Sequence, residues 1–185
     1  MALASPAMAQ DSGTNAANLQ TISLSAVVTP GAQPLMDTEF TVTPLGAGSV
    51  GPVVARSQDG PAVIQLPAGR YRVVAAYGSA TAQSDFLVDT APVVHQVNLN
   101  AGSVVLKLIK HVGGPTLKNV AWEILTYGKD AQGKRHHITS AAAAQPRFTL
   151  PEGFYLARAT HGTQEVRHTI EISPGVTYKY TVILQ

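Results

Sequence analysis

The sequence predicts an all-β protein built from two tandem β-sandwiches, each of about seven antiparallel strands. Three observations support this fold class. A hexapeptide occurs twice in nearly the same form, apolar residues alternate with polar ones over short runs, and patterns typical of helices are almost absent.

The repeat is anchored by LPAGRY at Leu66–Tyr71, which returns as LPEGFY at Leu150–Tyr155. The match extends upstream, where Phe40 corresponds to Trp122. We therefore expect two copies of one unit, each about the size of a small domain. The predicted division of the chain is 1–15 for a signal-peptide remnant and disordered N-terminus, 16–100 for the first sandwich and 101–185 for the second.

Alternating runs predict the strands within each copy. Thr21–Val28 places Ile22, Leu24, Ala26 and Val28 on one face, and Arg70–Tyr77 alternates in the same way. Such runs between Gly and Pro are typical of half-buried antiparallel strands. Ala141–Ala144 is the one stretch that favours a helix, and it is too short to form one alone.

The repeated hexapeptide has a physical interpretation as a corner between strands. Pro67 ends one strand because it cannot donate a hydrogen bond to the sheet, and Gly69 permits the tight corner. Tyr71 then returns a ring to the core, with its hydroxyl placed to bond a carbonyl of the turn. Downstream, Gly78 and Gly162 each fit the first position of a two-residue type II′ hairpin turn.

The pattern L-P-x-G-x-Y-x-V-x-A-x-x-G, followed by two further strands, resembles the prealbumin-like or carboxypeptidase-regulatory-like branch of immunoglobulin-type sandwiches. The resemblance spans roughly residues 19–185. Such modules often occur in tandem in envelope proteins of Gram-negative bacteria. The resemblance implies a passive module for adhesion, spacing or assembly, and it carries no catalytic residue over to this chain.

The N-terminus indicates export. Ala7-Met8-Ala9 before Gln10 has the A-x-A form of a signal-peptidase site, although the preceding residues lack a basic segment and a long apolar segment. We interpret them as the end of a signal peptide and expect a periplasmic or extracellular protein. No run of about 18 apolar residues exists in the chain, so no membrane span is expected.

Catalytic chemistry finds little support in the residues. The chain has no cysteine and no G-x-S-x-G nucleophile motif. Five of the six histidines lie in the second copy: His111, His136, His137, His161 and His168. The predicted hairpin pairs His161 with Gln164 and His168 with Ala157, which separates the two rings by roughly 13 Å, too far for one ion. We predict no catalytic, cofactor-binding or metal-binding residue and no cofactor.

Charge is divided unevenly between the copies. The first has three arginines against five acidic residues, a net charge of −2, and the second has ten basic residues against five acidic ones, a net charge of +5. Lys134, Arg135, His136 and His137 fall in one predicted loop of the second copy and form the candidate partner-contact patch. This patch would suit an acidic partner or an anionic envelope surface, although neutral drift of surface charge would give the same pattern.

These observations favour a non-enzymatic exported binding or scaffold module, an accessory or structural subunit of a bacterial envelope assembly with protein partners. The net charge of +2 is too small to indicate a nucleic-acid partner. The alternative is a periplasmic ligand-binding module for glycan or a metal ion. A glycan site needs exposed aromatic rings, for which the candidates are Tyr127, Tyr178 and Tyr180. Tyr178 and Tyr180 are better explained by a half-buried strand.

Overall fold

The computed structural model describes residues 18–46 and 49–184. These residues form strands, turns and loops, and none of them lies in a helix that is long and apolar enough to cross a membrane. The predicted signal-peptidase site at Ala7–Gln10 and the predicted N-terminal segment 1–15 lie outside the described residues. The strands are β1 (Gln20–Val27), β2 (Glu39–Pro44), β3 (Ala55–Ser57), β4 (Ala62–Leu66), β5 (Gly69–Tyr77), β6 (Ala80–Val88), β7 (Val93–Asn98), β8 (Ala101–Ile109), β9 (Ala121–Thr126), β10 (His137–Ala142), β11 (Arg147–Pro151), β12 (Gly153–His161), β13 (Gln164–Ile172) and β14 (Thr177–Ile183).

The same topology occurs twice, which confirms the all-β fold of tandem sandwiches. In the first repeat a three-stranded sheet with the order β4-β1-β7 accompanies a four-stranded sheet with the order β3-β2-β5-β6. The second repeat reproduces both orders as β11-β8-β14 and β10-β9-β12-β13. Each repeat therefore contains seven strands in two sheets, as the sequence predicts.

One pairing in each repeat differs from the predicted antiparallel arrangement. β1 pairs with β7 in parallel, and β8 pairs with β14 in parallel, whereas the other pairings of the described strands are antiparallel. The alternation of side chains is the same in both kinds of pair, because it reports the pleat of a strand and not the direction of its neighbour.

The corner interpretation of the repeated hexapeptide is confirmed in both repeats. The Tyr71 hydroxyl donates a 2.9 Å hydrogen bond to the Pro67 carbonyl, and the Tyr155 hydroxyl donates a 2.9 Å hydrogen bond to the Pro151 carbonyl. Burial raises the pKa of both tyrosine hydroxyls, so each stays protonated and able to donate. The ring thus ties the start of one strand to the end of the strand before it.

Each repeat buries its own apolar cluster between its two sheets. Phe40 in the first cluster and Trp122 in the second are both 1% exposed, as their alignment predicts. Further along, Phe86 and Ile170 also occupy matching buried positions. The burial of these large side chains supplies the main driving force for folding.

The junction between the repeats is short and hydrogen-bonded. β7 ends at Asn98 and β8 begins at Ala101. The Glu152 amide donates to the Asn100 carbonyl at 2.9 Å, and Asn100 Nδ2 donates to Glu152 Oε2 at 2.7 Å. A cleft of about 670 Å³ remains between the repeats at this junction. Ala101 packs with the first cluster, and the domain boundary placed between residues 100 and 101 stays a prediction.

Candidate binding site on the outer face of the second repeat

The connection between β9 and β10 carries most of the predicted patch, and one side chain fixes its shape. Asp130 Oδ1 accepts hydrogen bonds from the backbone N–H of Gln132 at 3.0 Å and of Lys134 at 2.8 Å. Its other carboxylate oxygen lies 3.1 Å from His136 Nε2. Asp side chains stabilise tight turns by bonding backbone groups a few residues ahead. The loop is therefore held by its own residues in the shape that presents its basic side chains.

Arg135 is anchored at the base of this loop. Its Nη1 donates a 3.1 Å hydrogen bond to the Thr126 carbonyl, and its guanidinium carbon lies 5.6 Å from the centroid of the Tyr127 ring. This is the geometry of a cation–π contact, worth about 0.5–1 kcal/mol at an exposed site. The Thr126 hydroxyl donates to the Gly128 carbonyl at 2.9 Å and accepts the His136 N–H at 3.0 Å. Arg135 and Tyr127 are thereby positioned together.

The outer face of the four-stranded sheet continues this surface as two cross-strand rows. In the first row His137, Leu125 and Leu156 lie side by side on β10, β9 and β12. In the second row Glu123 and Arg158 are paired across β9 and β12 and form an ion pair. Because the pleat alternates, these residues share one face while their neighbours Ile124 and Ala157 point into the core.

An exposed aromatic pair lies at the end of this surface. Tyr127 and Phe154 are 51% and 55% exposed, although both rings are large and apolar. Their ring centroids are 6.0 Å apart with an interplanar angle of 50°, within the range of favourable aromatic contacts. Neither ring contributes to the buried cluster of the second repeat, so packing of the core does not explain them.

The cleft on this face has a volume of about 580 Å³ and a basic lining. Its lining residues are Glu123, Leu125, Lys129, Gly133, Lys134, Arg135, His136, His137, Leu156, Arg158 and Arg167. Two of the arginines are neutralised, since Arg158 pairs with Glu123 and Arg167 pairs with Glu165. Within the described part of the chain, Lys129, Lys134 and Arg135 form no ion pair. These three cations line the cleft, and Arg135 also contacts the Tyr127 ring.

The structure brings the four residues of the predicted patch into this one cleft. Lys134, Arg135 and His136 lie in the connection, and His137 is the first residue of β10. Sequence reasoning did not select Phe154 or Lys129. The signal for Phe154 was present, because Tyr155 points inward at the corner and its neighbour must then point outward.

The histidine pairing follows the predicted hairpin. His161 pairs with Gln164 and His168 pairs with Ala157 across β12 and β13. The His168 ring contacts the Tyr180 ring, with centroids 5.5 Å apart. Across residues 18–46 and 49–184, no group of three or more His, Cys, Asp or Glu side chains is arranged to hold a metal ion.

The connection at the corresponding place in the first repeat has the same length but lacks charged residues. Both connections are ten residues long, LGAGSVGPVV between β2 and β3 and YGKDAQGKRH between β9 and β10. The first contains no charged residue, whereas the second contains Lys129, Asp130, Lys134 and Arg135. The aromatic pair is also absent from the first repeat, because Leu45 aligns with Tyr127 and Arg70 aligns with Phe154. We call the surface that carries Lys129, Lys134, Arg135, Tyr127 and Phe154 the basic aromatic face. Of the two repeats, only the second has it.

Comparison with known proteins agrees with the repeat structure. Residues 103–184 match a family model described as a Rhizobiales growth-associated tandem repeat domain. The description as a tandem repeat agrees with the two copies of one sheet topology in this chain. The match covers the second repeat, which is less than half of the chain, and a search of curated proteins finds no match.

Distant likenesses occur among solved structures. The minor pilin GBS52 of Streptococcus agalactiae is 16% identical with a TM-score of 0.41, over 89% of this chain and 95% of the pilin. The shaft pilin SpaA of Lactobacillus rhamnosus GG is 12% identical with a TM-score of 0.37, over 90% of this chain and 98% of that chain. The Bacillus anthracis TIE protein is 19% identical with a TM-score of 0.36 over 90% of this chain, which spans only 34% of that protein. Neither an activity nor a partner follows from likenesses of this size.

Proposed function

We propose that the protein is an exported, non-catalytic scaffold module, an accessory or structural subunit of a bacterial envelope assembly with protein partners. In this proposal residues 16–100 and 101–185 act as two domains. The first domain serves as a spacer, and the second carries the contact face. The name of the family that matches residues 103–184 associates this repeat with growth in Rhizobiales, which suits a role in building the envelope.

The difference between the two repeats is the observation that carries this proposal. One fold occurs twice, yet only the second copy has the ordered basic connection and the exposed aromatic pair. A scaffold that meets a partner through one domain needs this asymmetry. The absence of cysteine and of a nucleophile motif from the sequence supports a non-catalytic role.

Several further features support assembly over catalysis. The two repeats are tied by backbone hydrogen bonds, since the Ser79 amide donates to the Thr149 carbonyl at 3.2 Å and the Ala101 amide donates to the Val28 carbonyl at 2.9 Å. A semi-rigid pair of domains holds a contact face at a defined distance from the other end of the molecule. Export is proposed from Ala7-Met8-Ala9 before Gln10.

Site-specific photo-crosslinking in living cells tests the proposal. A photoreactive amino acid replaces Lys134 in one strain and Val53 in another, because Val53 is 42% exposed in the corresponding connection of the first repeat. We expect a discrete adduct with an envelope component from position 134 and none from position 53. Identical adduct patterns from both positions, or no adduct from either, would contradict the proposed contact face.

A further inference from the structure

We propose that the outer face of β9 and β12 binds an acidic polysaccharide, one that carries uronic-acid carboxylates along its chain. The Tyr127–Phe154 pair would hold the sugar rings, and Lys129, Lys134 and Arg135 would hold the carboxylates. This inference uses the same face as the proposed scaffold function and rests on it, since it names the anionic component that the face meets.

The aromatic pair suits the faces of sugar rings. A pyranose presents a flat array of C–H bonds on each side, and that array is attracted to the negative face of an aromatic ring. Tyr127 contacts both the Phe154 ring and the Arg135 guanidinium, so little ordering is needed when a ligand arrives. Two half-exposed rings that contact each other give adjacent platforms for a chain of sugars.

The side chains of Lys129, Lys134 and Arg135 would bind the negatively charged carboxylates of the polysaccharide. Lys134 and Lys129 belong to the loop held by Asp130, and Arg135 belongs to its base. A guanidinium can bond both oxygens of a carboxylate, and an ammonium acts as a compact point charge beside it. A polymer with one carboxylate per sugar can engage several of these groups at once, and each bound residue makes the next contact intramolecular.

Phe154 lies on β12 and Tyr127 directly follows β9, and this placement favours a polysaccharide over an acidic peptide. Both β9 and β12 are interior strands, with partners on either side in the order β10-β9-β12-β13. A peptide that adds to a sheet requires a free strand edge, and neither β9 nor β12 has one. The apolar residues Leu125 and Leu156 are half-buried and line the same cleft as the cations.

The first repeat supplies substitutions that its own fold already tolerates. Leu45 and Arg70 stand where the second repeat has Tyr127 and Phe154. Tyr127→Leu therefore removes a ring without changing charge, and Phe154→Arg removes a ring while adding a positive charge. These two variants separate stacking from charge attraction, because the second should strengthen a purely ionic contact and weaken a stacked one.

The experiment measures binding of the full chain to three probes by isothermal titration calorimetry at physiological ionic strength. The probes are polygalacturonate, neutral dextran and poly-L-glutamate. We expect binding to polygalacturonate that exceeds binding to the other two. Tyr127→Leu, Phe154→Arg and Lys134→Gln should each weaken it roughly tenfold, which corresponds to about 1.4 kcal/mol. The control variants Val94→Arg and Arg56→Gln, at exposed positions of the first repeat, should bind as the unaltered chain does.

Two outcomes would overturn the inference. Equal binding to poly-L-glutamate, with tighter binding by Phe154→Arg, would show charge attraction to any polyanion, including an acidic protein segment. No binding to polygalacturonate would exclude the ligand class directly. The scaffold function is tested separately, because a crosslink from position 134 to an envelope protein can persist when polygalacturonate does not bind.

Discussion

At the scale of single residues, Trp122 combines the largest fully buried side chain with an unsatisfied polar atom. Among the described residues, its indole N–H is buried without a hydrogen-bond partner. A buried unpaired donor costs about 1–3 kcal/mol. The equivalent position in the first repeat is Phe40, a buried ring with no polar side-chain atom.

We therefore expect Trp122→Phe to change the free energy of unfolding by less than ~1.5 kcal/mol, since the lost apolar area is offset by removal of the unpaired donor. Trp122→Ala should cost about 3–5 kcal/mol, because it leaves a cavity. Urea unfolding followed by circular dichroism measures both. If the two variants proved equally unstable, the indole N–H would have to be a bonded group.

His95 gives the first repeat a dependence on pH. Its ring stacks on Phe86 with centroids 4.9 Å apart, and its Nε2 lies 3.0 Å from the Ser84 hydroxyl oxygen. Burial lowers the pKa of His95, so the unfolded chain binds the proton more readily than the folded chain. The contribution of neutral His95 to stability is present above the unfolded pKa of about 6.5 and is lost as the pH falls below it.

We therefore expect the thermal stability of the protein to decline between pH 7.5 and pH 5.5, and His95→Gln to reduce the decline. The measurement is the melting temperature at a series of pH values, with His111→Gln as a control because that ring lies exposed in the second repeat. A decline of unchanged size in His95→Gln would assign the pH dependence to other groups.

At the scale of elements, the tyrosine corner is the device that both repeats share. Each hydroxyl bonds the carbonyl four residues earlier, at Pro67 in one repeat and at Pro151 in the other. We expect Tyr71→Phe and Tyr155→Phe each to lower the free energy of unfolding by about 1 kcal/mol. Tyr127→Phe is the matched control, because its ring is 51% exposed, and it should change stability by less than about 0.5 kcal/mol. Equal effects of all three changes in chemical denaturation would mean that the corner bond adds nothing.

The sequence predicts the strands well where the alternation of buried and exposed side chains depends on the strand alone. Alternation identified the inward residues Ile22, Leu24 and Ala26 of β1, all of which are buried. It was wrong at the end of β1, where Val27 is fully buried and Val28 only partly. Val28 lies beside the second repeat, so its surroundings depend on contacts that local periodicity does not encode.

The candidate site was predictable in part for the same reason. Lys134 and Arg135 stand out in the sequence because charge is scarce elsewhere. The contact of Phe154 with Tyr127, the ring beside Arg135, depends on the pairing of β9 with β12, whose paired residues are 29 to 39 positions apart along the chain. The β9–β10 connection can be recognised from its composition alone. Phe154 can be recognised as part of the same surface only when the order of the strands is known.

At the scale of the whole molecule, close approach between the repeats supports a semi-rigid pair. A β-carbon added at Gly175 would lie 2.8 Å from Thr29 Cγ2, so the two repeats meet there without room for a side chain. Together with the paired hydrogen bonds of Asn100 and Glu152, this contact limits hinge motion at the junction. We therefore expect the orientation of the second repeat relative to the first to vary little.

The proposed role as a subunit of an envelope assembly requires a stable complex in the cell. Its native mass after gentle solubilisation of bacterial envelopes, with crosslinking mass spectrometry on the proteins that co-migrate, tests this role. We expect a defined particle much larger than the 19.4 kDa chain, with crosslinks that map to the second repeat. A free monomer in the envelope fraction, without a crosslinked partner, would contradict it.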